Sequence, residues 1–93
     1  MKTSREIQNL VRGGRYEITA YADEEAQEDN VFPSDITNAI LTGTVVKKYI
    51  DDSRGARYKI LGNTLDGREL FVICRFNTIG EVRIITVFIK EKI

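Results

Sequence analysis

Ninety-three residues, 42% apolar and 30% charged, describe one globular domain, too small to enclose a large internal cavity. Fourteen basic and fourteen acidic side chains cancel, so the whole chain is no generic polyanion binder. One cysteine and no histidine exclude an intrachain disulfide and a histidine- or cysteine-rich metal site, and no cofactor is expected.

The charge is unevenly placed: residues 1–43 carry 4 basic and 8 acidic side chains, residues 44–93 carry 10 and 6. The second half is therefore the candidate for anion binding. No run approaches the roughly 20 apolar residues of a membrane span, and Met1 to Glu6 leads into no signal-peptide core. With a lone cysteine, this points to the cytoplasm. Cys74 lies in the apolar run Leu70-Phe71-Val72-Ile73-Cys74 and reads as a small buried hydrophobe.

Helices come first. Thr3 and Glu6 have capping-box spacing, Ile7, Leu10 and Val11 form one apolar stripe, and Gly13-Gly14 ends the helix at Arg12. A short extended piece, Arg15 to Ile18, follows. Thr19 then caps a mostly exposed helix from Ala20 to Asp29, whose acidic run reads as a solvated face, and Asn30 suits the turn that ends it. Val31 and Phe32 plug the core. Pro33-Ser34 opens a third helix with Ser34 as cap, Gly43 as stop and Ile36, Ala39 and Ile40 as its buried face.

From Thr44 the pattern changes to four strands: Val45–Asp51, Ala56–Asn63, Arg68–Phe76 and Val82–Ile89. The expectation is an α+β domain, helices over about 3–43 packed on one face of a four-stranded antiparallel meander over about 45–89. The three connections, Asp52 to Ala56, Thr64 to Arg68 and Asn77 to Glu81, each have glycine in fourth place, the mark of a three-residue hairpin loop with a left-handed residue. A two-residue Asp66-Gly67 loop would pair Ile60 with Ile73 and scatter charge onto both faces. The three-residue loop pairs Ile60 with Val72 and Tyr58 with Cys74 and segregates charge cleanly, and a one-residue slip would flip every side chain.

The same rule sets Phe76 opposite Val82, Cys74 opposite Ile84 and Leu70 opposite Phe88. The core face then holds Tyr58, Ile60, Leu70, Val72, Cys74, Phe76, Val82, Ile84 and Phe88. The outer face holds a lateral row of Arg57, Arg75 and Arg83, with Lys59 one step along and Asp51 beside Arg57. Like charges placed directly opposite are destabilising, so the row is either neutralised by acids and water or used to grip phosphate or carboxylate. Arg54, at a turn tip, reads as solvated. Phe71, Ile73, Ile85 and Val87 give the outer face apolar surface suited to nucleobase contact, a partner or a homodimer.

The order helix–helix–helix–four strands resembles small uncharacterised bacterial proteins related to the RelE and BrnT toxins. The resemblance runs from Ile7 to Phe88. It is carried by Leu10-Val11-Arg12-Gly13-Gly14-Arg15-Tyr16-Glu17-Ile18, by Asp35-Ile36, Ala39-Ile40 and Gly43, by Tyr49 to Tyr58, by Leu61-Gly62 with Asp66-Gly67-Arg68, and by Ile84-Ile85-Thr86-Val87-Phe88. It implies a bacterial toxin–antitoxin-like protein whose partner is a cognate antitoxin-like protein or RNA. Relatives of RelE type cleave messenger RNA with basic and tyrosine side chains on the open sheet face. Many members of the resembling family carry a histidine where Tyr21 stands, before Ala22, and an arginine where Glu24 and Glu25 fall. The relatives' closing tyrosine–arginine–proline is here Phe88-Ile89-Lys90.

Two functions follow. One is a non-catalytic module that binds an anion, a nucleic acid or an acidic partner through Arg57, Lys59, Arg75 and Arg83. The other is a metal-independent endoribonuclease, with arginines on the phosphate and Lys59, Tyr49 or Tyr21 moving protons. An unperturbed lysine or tyrosine titrates near pH 10, poorly matched to a base at neutral pH.

Overall fold

The computed structural model describes residues 2–50, 53 and 55–91. It is α+β, with helices α1 (Lys2–Arg12), α2 (Ala20–Glu28) and α3 (Pro33–Thr42) and strands β1 (Tyr16–Ile18), β2 (Thr44–Tyr49), β3 (Arg57–Asn63), β4 (Glu69–Phe76) and β5 (Val82–Ile89). Among the described residues the sheet has five strands, not four, in the order β1-β5-β4-β3-β2, and it is mixed, because β1 runs parallel to β5. The extended piece after α1 is that fifth strand. Among the described residues no helix is long and apolar enough to cross a membrane.

Local chemistry explains the helix ends. Two of them close alike. Arg15 N–H reaches Leu10 O and Gly14 N–H reaches Val11 O, with Gly14 at φ 75°. Val31 N–H reaches Ala26 O and Asn30 N–H reaches Gln27 O, with Asn30 at φ 54°. Both are Schellman closures that satisfy the last helical carbonyls through a left-handed residue. Thr19 caps α2 by accepting the Ala22 N–H at 3.1 Å. Thr3 sits inside α1 instead of capping it, because that helix already begins at Lys2.

The start of α3 differs from expectation. Phe32 is the cap residue and Pro33 takes the first helical position, where its missing N–H and fixed φ suit it, so Ser34 is already inside the helix. Asp35 is the working side chain. Its Oδ2 accepts Phe32 N–H at 2.8 Å and its Oδ1 accepts Leu65 N–H at 2.8 Å, tying α3 to the β3–β4 turn. Val31 is buried, but the Phe32 side chain stays 67% exposed.

Gly43 does stop α3, for a reason other than left-handed geometry: its φ is −98°, and a Cβ there would lie 2.5 Å from both Ala39 O and Leu61 O. Gln8 Nε2 from α1 donates to Ile40 O, Leu41 O and Gly43 O, serving carbonyls that α3 leaves open.

The helices cover one face of the sheet, α3 across β3 and β4, α2 against β5, and α1 on α3. Between them lie Ile36, Ala39 and Ile40 with Tyr58, Ile60, Leu70, Val72, Cys74, Val82 and Ile84, all buried. Burying a side chain of this size contributes about 1.5–3 kcal/mol. The approach of α3 is closest at Gly62, where a Cβ would stand 1.8 Å from Ala39 O.

Candidate functional site

The middle and last turns are three-residue loops. Gly67 N–H reaches Thr64 O and Gly80 N–H reaches Asn77 O, with Gly67 at φ 88° and Gly80 at φ 80°. Tyr58 pairs with Cys74 and Ile60 with Val72, and Arg75 is the direct partner of Arg83. Extending the β3–β4 register by one residue sets Arg57 beside Arg75. Their chain neighbours Tyr58, Cys74, Val82 and Ile84 are buried under the helices, so by strand alternation the three arginines lie on the outer face.

The first connection breaks the rule. Tyr49, not Asp51, is opposite Arg57. Asp51, Asp52 and Arg54 lie outside the described residues. The slip is by two positions, an even number, so Arg57 keeps its face and only its neighbour changes. At the other edge Glu17 pairs with Arg83. One line of side chains thus crosses all five strands: Glu17, Arg83, Arg75, Arg57, Tyr49.

Both ends of the line are tied. Arg83 Nη1 lies 2.8 Å from Glu17 Oε1. The Arg57 guanidinium carbon lies 5.1 Å from the centre of the Tyr49 ring, and Lys47 Nζ lies 4.9 Å from the same ring. Each such cation–ring contact at an exposed site contributes about 0.5–1 kcal/mol. A hollow of ≈ 450 Å³ opens at the Glu17 end, lined by Glu17, Arg75, Arg83 and the turn residues Asn77, Thr78 and Ile79.

Lys59 sits one step along, as expected, opposite Lys47 and Ile73. What lies beside it is different. β5 carries one extra residue, Ile85, because Cys74 pairs with Ile84 while Ile73 pairs with Thr86. The bulge reverses the remainder of the strand. Leu70 therefore faces Ile89, Val87 turns into the core at 1% exposure, and Phe88 turns outward at 37%. There Phe88 packs against Phe71 at 5.1 Å between ring centres, and Lys59 Nζ stands 4.2 Å from one ring centre and 5.5 Å from the other.

Side chains of α2 and its cap hold the bulge in place. Thr19 Oγ1, already the α2 cap, donates to Ile85 O at 3.1 Å. Glu25 accepts the Thr86 hydroxyl and, at 3.1 Å, the Val87 N–H, which faces the strand's open edge beyond the short β1. Glu25 is thus an edge cover and not part of a solvated acidic face.

Of the residues singled out in the sequence, Arg57, Lys59, Arg75, Arg83 and Tyr49 share the outer face. Tyr21 does not; it projects from α2, 62% exposed. Glu17 belongs to the line and escaped notice because its three-residue strand has no hairpin to announce it. Burial pushes the Cys74 thiol up to about 12, which leaves it protonated and unreactive at neutral pH. Among the described residues no cluster of carboxylates and thiols is arranged to hold a metal ion.

Residues 18–89 match the family model described as Domain of unknown function (DUF4258). The chain belongs to the DUF4258 family. No curated protein and no solved structure matches it. The matched span of the DUF4258 domain runs from Ile18 to Ile89 and so takes in Arg57, Arg75, Arg83, Lys59 and the bulged strand, while Glu17 falls just before it.

Proposed function

We propose that this DUF4258 domain is a non-catalytic binding module that holds single-stranded nucleic acid on the outer sheet face. The carrying observation is the line of three arginines across adjacent strands. Arg75 opposite Arg83, and Lys47 opposite Lys59, place like charges together, a destabilising choice that a phosphate backbone would offset. The Phe71–Phe88 pair beside the row favours nucleic acid over an acidic peptide, since every base offers a face to stack on an aromatic ring.

The motif resemblance to RelE and BrnT toxins supports the same surface and suggests a toxin–antitoxin setting, with a RelE/BrnT-like scaffold and an antitoxin-like protein as the competing occupant. The absence of histidine from the chain, and Tyr21 in the place of the usual one, favour a binder over a nuclease.

The test is anisotropy with labelled single-stranded RNA over a salt series, with a cleavage gel run on the same samples. Binding should weaken as salt rises, and Arg75→Ala should raise Kd and lower the salt slope by about 1, with the RNA left intact. Cleavage that disappears in Arg75→Ala would make the domain an endoribonuclease with Lys59 or Tyr49 as proton carrier. Tight binding of an acidic peptide but not of RNA would assign the face to a protein partner. If Arg75→Ala changes nothing, the row is not the site.

A further inference from the structure

The hollow at the Glu17 end already contains a negative group. Arg83 holds one oxygen of the Glu17 carboxylate at 2.8 Å, and Asn77 Nδ2 donates to the other at 2.9 Å. The Asn77 amide is itself locked, because its Oδ1 accepts the N–H groups of Ile79 at 3.1 Å and Glu81 at 2.9 Å. That leaves Nδ2 aimed at the carboxylate. Donors from the β4–β5 turn and from β5 thus converge on one oxyanion, and Arg75 lines the same hollow.

We propose that Glu17 is the resident occupant of an oxyanion subsite made by Arg83, Asn77 and Arg75, and that a phosphate group binds there by displacing it. This rests on the reading of the outer face as an anion-binding surface and adds the mechanism that tunes it. Glu17 is suited to leave. It stands on a three-residue edge strand, and its side chain and that of Arg83 are 44% and 40% exposed. An exposed pair of this kind is held by little free energy. A free or terminal phosphate carries more charge than a carboxylate and has at least three acceptor oxygens, enough to engage more than one donor at once; a backbone phosphodiester matches the carboxylate in charge and competes through its neighbours along the strand. Affinity at this end of the row is then set by competition with a built-in carboxylate.

The experiment titrates inorganic phosphate, and separately a short single-stranded oligonucleotide, into the whole protein and follows the Asn77 side-chain amide by NMR. Glu17→Gln preserves shape while removing the charge and replacing one of the two acceptor oxygens with an NH2 donor, so it weakens the resident's hold on both counts. It should tighten phosphate binding by about two- to fivefold, the range an exposed ion pair supports, with the Asn77 amide shifting in the same titration. Glu81→Gln is the charge control: it removes an acid from the same hairpin, where Glu81 pairs with Arg15 at 3.3 Å, and should leave affinity unchanged.

Equal tightening by both variants would reduce the effect to net charge and overturn the subsite. So would unchanged affinity in Glu17→Gln alongside wild-type binding that Arg75→Ala weakens, an outcome that leaves the anion-binding face standing. No binding of either probe to wild type or to Glu17→Gln would remove both. Tightening for phosphate alone would assign the subsite to a free or terminal phosphate; tightening for both probes would place it on the path of the nucleic-acid strand.

Discussion

The two faces of this sheet are built from the same strands but under opposite constraints. On the inner face, α3 comes down until the Cβ of any residue at position 62 would stand 1.8 Å from a backbone oxygen, and Leu70, Val72, Cys74, Val82 and Ile84 are sealed from water. On the outer face, like charges stand as direct cross-strand partners at Arg75–Arg83 and Lys47–Lys59, and two aromatic rings meet at the surface under a lysine. Stability accounts for the first arrangement. The second sets like charges opposite one another, a local cost, beside the Glu17–Arg83 ion pair and the cation–ring contacts at Tyr49, and the binding role proposed above gives that arrangement a use. Inner-face changes should therefore register in unfolding, outer-face changes in association.

The sharpest way to break that contrast is Gly62→Ala. The obstructing atoms are the backbone of Ala39, so the helix itself must move, and chemical denaturation should show a loss of about 3 kcal/mol, the upper end for overpacking. A loss under about 0.5 kcal/mol would show the α3–β3 approach to be looser than described.

Next comes Asp35→Ala. Two backbone donors, from Phe32 and Leu65, lose their acceptor at a position only 5% exposed, which should cost about 2 kcal/mol. Arg75→Ala tests the other face. Its unfolding free energy should stay within about 0.5 kcal/mol of wild type, because the lost contacts are offset by relief of a like-charge pair, while binding falls.

The smallest effect belongs to pH. Hydrogen bonds from Thr64 and Arg68 hold the Asp66 carboxyl below its ordinary value of 3.8. Its contribution is then present above that value and lost as pH falls through the depressed folded-state range. The gap in Tm between wild type and Asp66→Asn should be open at neutral pH and close in acid; a gap that widened in acid would reverse the assignment.

How far these faces could be read from residues alone depends on what marks each feature. The β3–β4 and β4–β5 turns carry a glycine where φ is positive, so their register and the outward position of Arg57, Arg75 and Arg83 were legible. The β2–β3 connection is two residues longer than the glycine spacing predicts, a difference that leaves the faces unchanged because side chains alternate with period two. The bulge at Ile85 was not legible. Ile84-Ile85-Thr86-Val87-Phe88-Ile89 is a run of strand formers with nothing to mark an extra residue, and the hydroxyl that holds Ile85 O comes from Thr19, far away in the chain. Val87 and Phe88 consequently exchanged faces. Residues 15–18 are legible as an extended piece but their pairing is not, since the partner Val82 lies far along the chain and no turn connects them. Glu17 was lost with it, although its place between the inward-tending Tyr16 and Ile18 is the signal that could have found it.

The central claim, that the outer face is the one that binds, is tested most directly by backbone and methyl NMR during titration with a short single-stranded RNA. Shifts should concentrate at Tyr49, Lys59, Phe71, Arg75, Arg83 and Phe88 and spare Ile36, Ala39 and Ile40. Saturable shifts confined to the helical layer, with the strand row unmoved, would contradict it.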